Sequence, residues 1–209
     1  FIGAVKTNCV EKSLTQRVEL IADSLNMHLP GTYRQSIAVL TEIMGDENPN
    51  ETGMFKKYYW LMPVGKYIEK YGHDHPDDSF KAIEELTKRN TGEYAIRPYI
   101  RKYPALTLKQ MKRWAKSKNF HLRRLASEGL RPKLPWAAKL DLFIENPKPV
   151  FDVLDILKTE PVKFVKKSVA NNLTDYIKVN PKPNFPLLHE SKLINNEHTQ
   201  WMINYTRRK

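Results

Sequence analysis

Apolar residues recur three and four positions apart along most of the chain, which is the spacing of one face of an α-helix. No alternating strand pattern of useful length competes with this helical pattern. The sequence therefore predicts an all-α protein. The predicted helical segments are Leu14–Leu25, Tyr33–Met44, Met62–Tyr71, Phe80–Leu86, Tyr94–Tyr103, Leu108–Ala115, Leu122–Leu130, Trp136–Ile144, Val150–Leu157, Phe164–Ile177 and Trp201–Tyr205.

Proline and glycine residues fall between the predicted helices, where they favour turns. They are Pro30, Gly31, Gly45, Gly72, Pro104, Pro132, Pro135, Pro147, Pro149, Pro161, Pro181 and Pro183. Two helix-start signals agree with the pattern: the segment Thr107–Gln110 resembles a capping box, and Asp77 and Asp78 place negative charge at a helix N-terminus. Short helices separated by proline-marked turns predict antiparallel helix pairs stacked side by side.

The chain also contains a faint internal repeat. Residues 123–130 (RRLASEGL) align with residues 166–173 (KKSVANNL) at an offset of 43 residues. This offset lies in the range of HEAT-like helical repeats, in which basic residues at equivalent positions would line one concave face. Two unrelated amphipathic helices could produce a similar match, so the alignment alone does not establish a repeat.

Length and cysteine content narrow the class of protein. A chain of 209 residues is one domain or two small ones, and it can bury most of its apolar surface. The single cysteine, Cys9, excludes an intramolecular disulfide and suits a reducing compartment. No apolar run approaches the roughly 18–20 residues needed to cross a bilayer. We therefore expect a soluble, cytoplasmic protein with no membrane-spanning segment and no signal peptide.

The positive charge is concentrated in the C-terminal part of the chain. Residues 1–80 hold 8 basic and 11 acidic residues, whereas residues 81–209 hold 27 basic and 12 acidic residues. Such a basic region predicts binding to nucleic acid or to an anionic membrane. Between Arg97 and Lys139 there are 13 basic residues and one carboxylate, Glu128. An acid inside a polyanion-binding surface suggests contact with a positive group, such as a cationic damaged base in DNA.

Three segments carry a resemblance to a known family. They are HLRRLASEGLRPKLPW at residues 121–136, GEYAIRPY at residues 92–99 and SVANNLTD at residues 168–175. Together they closely resemble the signature of AlkC-type DNA alkylation repair glycosylases. The N-terminal segments Met62-Pro63 and YIEKYG at residues 67–72 are similar too, so the resemblance covers most of the chain. Departures are small: Leu130 replaces a hydroxyl-bearing or small residue, and Lys133 replaces the commoner arginine.

The resemblance implies a fold and an activity. The fold would be a single HEAT-like repeat domain over residues 1–209, related to AlkD, with a more acidic part at 1–80 and a basic part at 81–209. A concave basic face would hold duplex DNA. The activity would be hydrolysis of the N-glycosidic bond of cationic alkylated bases such as 3-methyladenine and 3-methylcytosine, with no cofactor or metal and no deep base pocket. We expect a monomer with no membrane contact and no obligate protein partner, and a form without the immunoglobulin-like domain of some relatives.

Three acids match the family motifs: Glu128, Asp175 and Glu93. A base alkylated on a ring nitrogen is already a cationic leaving group, and positive charge moves to the sugar as the bond breaks. A fixed carboxylate stabilises that charge more than it stabilises the neutral ground-state sugar, and it can align the attacking water. Each acid also has a structural alternative. Glu128 could pair with Arg124, Asp175 could be a solvated helix residue, and Glu93 could cap a helix.

The basic residues near these acids are candidate DNA contacts. Arg124 is the predicted phosphate clamp, because a guanidinium offers bidentate geometry that lysine lacks. Predicted contacts to the DNA backbone are Arg123, Arg131, Lys133, Lys166 and Lys167. Arg123 and Arg124 point about 100° apart on a helix, so one of them could face elsewhere. Each of these residues could instead form structural salt bridges.

Trp136 follows two prolines at a predicted helix start, where its indole could be presented to a cationic base or sugar. The alternative is a tryptophan that fills the core. We interpret Trp60, Trp114 and Trp201 as packing residues.

Two other clusters carry weaker signals. His73, Asp74 and His75 are ligand-type residues, but their spacing completes no metal site. Ser127 with His121 and Glu128 lacks the strand-to-helix elbow of a nucleophilic serine.

Two other functions remain open on the sequence alone. One is a HEAT-like protein that recognises branched or damaged DNA without cleaving a bond. The other is a protein-binding helical scaffold whose basic face meets an acidic partner.

Overall fold

The computed structural model describes residues 1–29, 31–53, 55–179 and 195–208, and every regular element in these ranges is helical. The chain forms two compact units, residues Phe1–Lys102 and Tyr103–Lys209. Helices of the first unit are α1 (Ile2–Asn8), α2 (Leu14–His28), α3 (Tyr33–Glu42), α4 (Phe55–Tyr58), a 3-10 helix (Tyr59–Leu61), α5 (Met62–Tyr71), α6 (Pro76–Thr87) and α7 (Arg97–Lys102). Those of the second unit are α8 (Pro104–Ala115), α9 (Phe120–Glu128), α10 (Asp141–Glu145), α11 (Lys148–Ile156), α12 (Lys163–Val179) and α13 (Glu197–Arg207).

The first unit is built around α5, which packs against α2, α3 and α6. Gly72, which ends α5, lies among three hydroxyl groups, because a Cβ atom there would be 2.3 Å from Tyr99 Oη and 2.5 Å from Ser79 Oγ. The Tyr33 hydroxyl lies beside the same position and is 2.7 Å from Ser79 Oγ. The glycine of the KYG sequence is therefore explained by close packing.

The second unit is centred on α9, which packs against α8, α11 and α12, and α12 also packs against α13. Leu125, Ala126 and Leu130 are fully buried on the α9 side of this core, and Val169 and Leu173 are buried on α12. The two segments of the sequence repeat therefore begin on adjacent helices. This contact fixes the side chains at the C-terminal end of α9 against α12.

Most predicted helices are confirmed, with boundaries that shift by a few residues. α5 has the predicted bounds, and Asp77 and Asp78 lie in the first turn of α6 as expected. The capping-box prediction for Thr107 was wrong. Helix α8 begins at Pro104, and the Thr107 hydroxyl donates to the Tyr103 carbonyl inside the first turn. The predicted breaks at Pro30, Pro181 and Pro183 lie outside the described residues.

The predicted helix Trp136–Ile144 was largely wrong. The only helix there is α10, Asp141–Glu145, and Trp136 has a φ of 60°, a left-handed conformation that a right-handed helix excludes. Two short helical segments, α1 and Phe55–Leu61, were not predicted, since they are too short to show a clear period. No helix within the described ranges is long and apolar enough to span a bilayer.

Candidate functional site

Glu128 is the last residue of α9 and is buried against α12, with 5% of its surface exposed. Its Oε1 accepts a hydrogen bond from Arg131 Nη1 at 2.7 Å, and its Oε2 accepts one from the Ser168 hydroxyl at 2.6 Å. Arg124 Nη2 lies 3.6 Å from Oε1. Arg124 lies four residues before Glu128 on α9, a spacing that brings side chains together on a helix, and Arg131 follows three residues after the helix ends. The acid that stands alone in the basic sequence is therefore held by basic side chains on both sides.

Arg131 also binds the second predicted acid. Its Nε donates to Asp175 Oδ2 at 2.8 Å and its Nη2 donates to Asp175 Oδ1 at 3.2 Å, which forms a bidentate pair. Within the second unit, one guanidinium thus joins a carboxylate at the end of α9 to a carboxylate on α12. Both carboxylates are largely buried, with side-chain exposures of 7% and 13%.

The charges of this cluster stabilise each other. Burial acts to raise the pKa of Glu128. Arg124, Arg131 and the Ser168 hydroxyl act in the opposite direction with a larger effect, so the pKa lies below its usual range. Burial lowers the pKa of Arg131, and hydrogen bonds and charge from Asp175 and Glu128 outweigh that effect and raise it. Glu128 is therefore ionised at neutral pH.

Arg124 lies between this cluster and an aromatic ring. Its guanidinium is 4.8 Å from the ring centroid of Phe164 on α12, and its side chain is 18% exposed. A cation held over a ring face in this way keeps a defined plane. The ring thus orients the arginine that the sequence predicts to clamp a phosphate.

Arg123 points to a different partner, as the helical geometry allowed. Its Nε and Nη2 donate to the two oxygens of Glu160 at 2.7 and 3.0 Å, and its Nη1 donates to the carbonyls of Ser117 and Lys118. Glu160 is 6% exposed, so this is a buried structural pair. The salt-bridge alternative describes what Arg123 does in the structure, and its contact with DNA stays a prediction.

The predicted lysine contacts differ in placement. Lys133 and Lys167 are exposed, whereas Lys166 is half-buried with its Nζ 5.1 Å from the centroid of the Trp201 ring. Lys166 and Asp175 are nine residues apart on α12, which places them on opposite sides of the helix, about 180° apart. Trp201, interpreted from sequence as a packing residue, therefore also makes a cation–π contact with Lys166.

Trp136 is presented, but not by a helix. Trp136 is 96% exposed, the highest value among the large apolar residues in the described ranges, and it lies on the irregular segment between α9 and α10. The expected placement at a helix start was wrong, because the backbone turns through a positive φ at this residue. The exposure argues against the core-filling alternative. The predicted contact with a base or sugar is untested.

Glu93 belongs to the first unit and lies in a turn that precedes α7. It is 8% exposed, and its Oε2 accepts a hydrogen bond from the Thr91 hydroxyl at 2.8 Å. Gly92 before it is packed so closely that a Cβ atom would be 2.6 Å from Thr87 Oγ1. Its convergence with the other two acids stays a prediction.

Two side chains of the cluster were not predicted from the sequence. Ser168 and Phe164 lie seven and eleven residues before Asp175, so all three share one face of α12, and this spacing could have revealed them.

Residues of the two clusters with weaker sequence signals make structural contacts. Asp74 accepts a hydrogen bond from Lys102 at 2.6 Å, and the His75 ring stacks on Tyr33 with centroids 5.2 Å apart. Within the described part of the chain, no three histidine, cysteine or acidic side chains are grouped as metal ligands would be. The His121 ring is buried against Phe120 and Phe164.

The fold and the cluster define a helical protein with buried, arginine-bound carboxylates on a basic unit. A family model described as DNA alkylation repair enzyme matches residues 90–209, which contain every predicted site residue. The chain belongs to this family.

Two relatives extend the comparison beyond the matched region. The chain is 34% identical over 198 residues to the uncharacterized protein YhaZ of Bacillus subtilis, covering 95% of this chain and 53% of YhaZ. It is 31% identical to the alkylpurine DNA glycosylase AlkC of Pseudomonas fluorescens, solved bound to DNA containing an abasic site analogue, with a TM-score of 0.85. That match covers 99% of this chain and 55% of the AlkC chain. The chain thus spans about half the length of these relatives, and the predicted HEAT-like helical repeat fold is confirmed.

Proposed function

We propose that this protein is a DNA glycosylase that hydrolyses the N-glycosidic bond of cationic alkylated bases in duplex DNA, of the 3-methyladenine and 3-methylcytosine class. The observation that carries the proposal is the pair of buried carboxylates, Glu128 and Asp175, joined by Arg131. Membership of the DNA alkylation repair family and the similarity to a glycosylase bound to DNA support it.

The proposed reaction uses these carboxylates on a leaving group that needs little activation. The C1′–N bond breaks, its electron pair leaves with the base, and the base becomes neutral. Positive charge then spreads over C1′ and the ring oxygen of the sugar. Water adds at C1′ and releases a proton, leaving an abasic sugar and a free base. Ionised carboxylates favour the charged intermediate over the neutral sugar, which lowers the barrier.

The two acids have different environments within this scheme. Both oxygens of Glu128 already accept hydrogen bonds and its pKa is lowered, so it supplies fixed negative charge rather than taking a proton. The oxygens of Asp175 also accept hydrogen bonds, both from Arg131, but its side chain is the more exposed of the two, which makes it the better candidate to orient the water. Glu93 stays a candidate for a third catalytic carboxylate on the sequence motif alone.

DNA would be held by the basic side chains of the same region. Arg124 is proposed to bind a phosphate beside the lesion, and Trp136 is proposed to place its ring against the cationic base or sugar. Lys133 and Lys167, which are exposed, are the proposed backbone contacts. Arg123, which is paired with Glu160, and Lys166, on the opposite side of α12 from Asp175, stay predictions from the sequence. In the structure the guanidiniums of Arg124 and Arg131 balance the carboxylates of Glu128 and Asp175. If Arg124 bound a phosphate instead, the two carboxylates would carry excess negative charge beside the sugar.

A mass-spectrometric inventory of bases released from methylated duplex DNA tests the proposal. The wild-type chain should release 3-methyladenine, and the Glu128→Gln, Asp175→Asn double variant should release it at least ~100-fold more slowly. The matched control is the Asp141→Asn, Glu145→Gln double variant, whose acids are exposed on α10. It should behave as wild type. Equal release by all three proteins would remove the catalytic assignment.

The same protein preparations separate the other two functions. Tight binding to branched or abasic DNA with no base release would support a DNA-structure-binding protein. A DNA affinity that depends only weakly on salt would count against any phosphate-binding surface and would favour a protein-binding scaffold.

A further inference from the structure

One guanidinium holds both carboxylates of the second unit. We propose that Arg131 is a positioning residue that fixes Glu128 and Asp175 relative to one another, and that it does not contact a DNA phosphate. Its catalytic consequence rests on the proposed function, whereas the question of phosphate contact is independent of it.

The hydrogen bonds of Arg131 show why a phosphate contact is unfavourable. Its Nε and Nη2 form the fork that binds Asp175, and its Nη1 donates to Glu128. A guanidinium can bind a phosphate bidentately through one of two edges, Nε–Nη2 or Nη1–Nη2. In this geometry each nitrogen already donates to a carboxylate. These bonds use three of the five guanidinium N–H donors and fill the Nε–Nη2 edge. A bidentate phosphate contact at that edge would require the bonds to Asp175 to break, and one at the Nη1–Nη2 edge would bring a phosphate beside the Glu128 carboxylate that Nη1 binds.

Burial makes that exchange costly. The Arg131 side chain is 13% exposed, and the carboxylates it joins are 7% and 13% exposed. If the guanidinium moved to a phosphate, both acids would lose their shortest cationic contact, and an uncompensated buried charge is strongly destabilising. Arg131 is therefore expected to stay in place when DNA binds.

Arg124 provides the contrast within the same cluster. Its Nη2 is 3.6 Å from Glu128 Oε1, well beyond the 2.7 Å of the Arg131 contact, and its guanidinium lies against Phe164. Exchange of this longer contact for a phosphate leaves Glu128 bound to Arg131 and Ser168. The two arginines on either side of Glu128 thus have separate roles.

The positioning role follows from where the acids originate. Glu128 ends α9 and Asp175 lies on α12, so no single backbone segment sets the distance between them. The Arg131 guanidinium is a rigid planar group that bonds to both, and it fixes their separation and orientation. Preorganised charge of this kind stabilises a transition state without reorganisation, and an error of about 1 Å in placement can lower a rate ~100-fold.

The experiment compares Arg131→Gln and Arg131→Lys with Arg124→Gln, and uses Lys148→Gln as a control because its side chain is 79% exposed on α11. Two quantities are measured: the single-turnover rate of 3-methyladenine release at saturating protein, and the salt dependence of affinity for undamaged duplex DNA. Circular dichroism and thermal unfolding establish that each variant is folded.

For Arg131→Gln we expect a fall of ~100-fold in the single-turnover rate with an unchanged salt slope. Arg131→Lys should recover part of the rate, since lysine keeps the charge without the fork. Arg124→Gln should weaken binding and reduce the salt slope by about one. Added to the Glu128→Gln, Asp175→Asn variant, Arg131→Gln should cause no further loss of rate, because Arg131 acts through those acids.

The proposal is overturned if Arg131→Gln lowers the salt slope by about one while the rate at saturation stays within twofold of wild type. It is also overturned if Arg131→Gln slows base release by the Glu128→Gln, Asp175→Asn variant as much as it slows base release by wild type. Should wild-type protein release no base, the proposed function fails, and the salt slopes still decide whether Arg131 contacts phosphate. A variant too unstable to assay is replaced by Arg131→Lys, which must then show the unchanged slope.

Discussion

The hydrogen bond from Ser168 to Glu128 is a specific test of the buried cluster. Ser168 is 3% exposed, and its hydroxyl donates to Glu128 Oε2 at 2.6 Å. Ser168→Ala removes this donor and leaves a buried, charged oxygen without it. A hydrogen bond to a charged group contributes roughly 1.5–3 kcal/mol, so we expect the free energy of unfolding to fall by about 2 kcal/mol. For a chain of this size that corresponds to a melting temperature lower by roughly 4–8 °C.

The matched control is the neighbouring buried serine. Ser127 is fully buried, and its Oγ has no hydrogen-bond partner within the described part of the chain. Ser127→Ala removes an unsatisfied hydroxyl of the same size, so its free energy of unfolding should stay the same or rise. Differential scanning calorimetry at pH 7 compares the two variants with wild type. Equal losses of stability in both variants, or no loss in Ser168→Ala, would refute the account of how Glu128 is held.

Three further predictions concern charge, DNA affinity and packing. The pKa of Glu128 is lowered from 4.5 in the folded state, so the ionised carboxylate stabilises the fold above pH ~4.5, and this stabilisation is lost as the pH falls through the lowered value. Urea unfolding between pH 7 and pH 3 should therefore show a smaller acid-induced fall in the free energy of unfolding for Glu128→Gln than for wild type. Phe164→Leu removes the ring beneath Arg124 and should weaken DNA affinity by roughly 2–6-fold, measured by fluorescence anisotropy. Gly72→Ala should lower the free energy of unfolding by about 1–3 kcal/mol in chemical denaturation, because its Cβ meets buried hydroxyls, whereas Gly53→Ala, with open space around it, should change stability little.

The sequence predicted the helices well where local signals coincide. Helix α5 follows from a proline in its first turn, apolar residues at helical spacing and a glycine at its end. The segment around Trp136 failed because its apolar residues have a helical period, whereas the prolines and the positive φ give an irregular path. A periodic pattern reports which residues can share a face, and it does not report whether the backbone between two prolines can form that helix.

The site was predictable in its residue types but not in its pairings. The motifs singled out Glu128 and Asp175, but the sequence did not show that Arg131, a predicted DNA contact with a salt-bridge alternative, bonds to both of them. Arg123 pairs with Glu160, which is 37 residues away in sequence. Partners such as these depend on how α9 packs against α12 and against the connection that precedes it, because side chains from separate segments meet only after those segments have packed. Sequence spacing alone reveals partners within a helix and not across one.

The central claim is that Glu128 and Asp175 stabilise positive charge on the sugar. Its most direct test is the affinity of wild-type protein and of the Glu128→Gln, Asp175→Asn variant for two duplexes. One duplex carries a neutral tetrahydrofuran in place of a nucleoside, and the other carries a protonated pyrrolidine ring that mimics the charged intermediate. We predict that wild-type protein binds the cationic duplex at least ~10-fold more tightly and that the variant loses this preference. The same preference for the cationic ring in both proteins would contradict the claim.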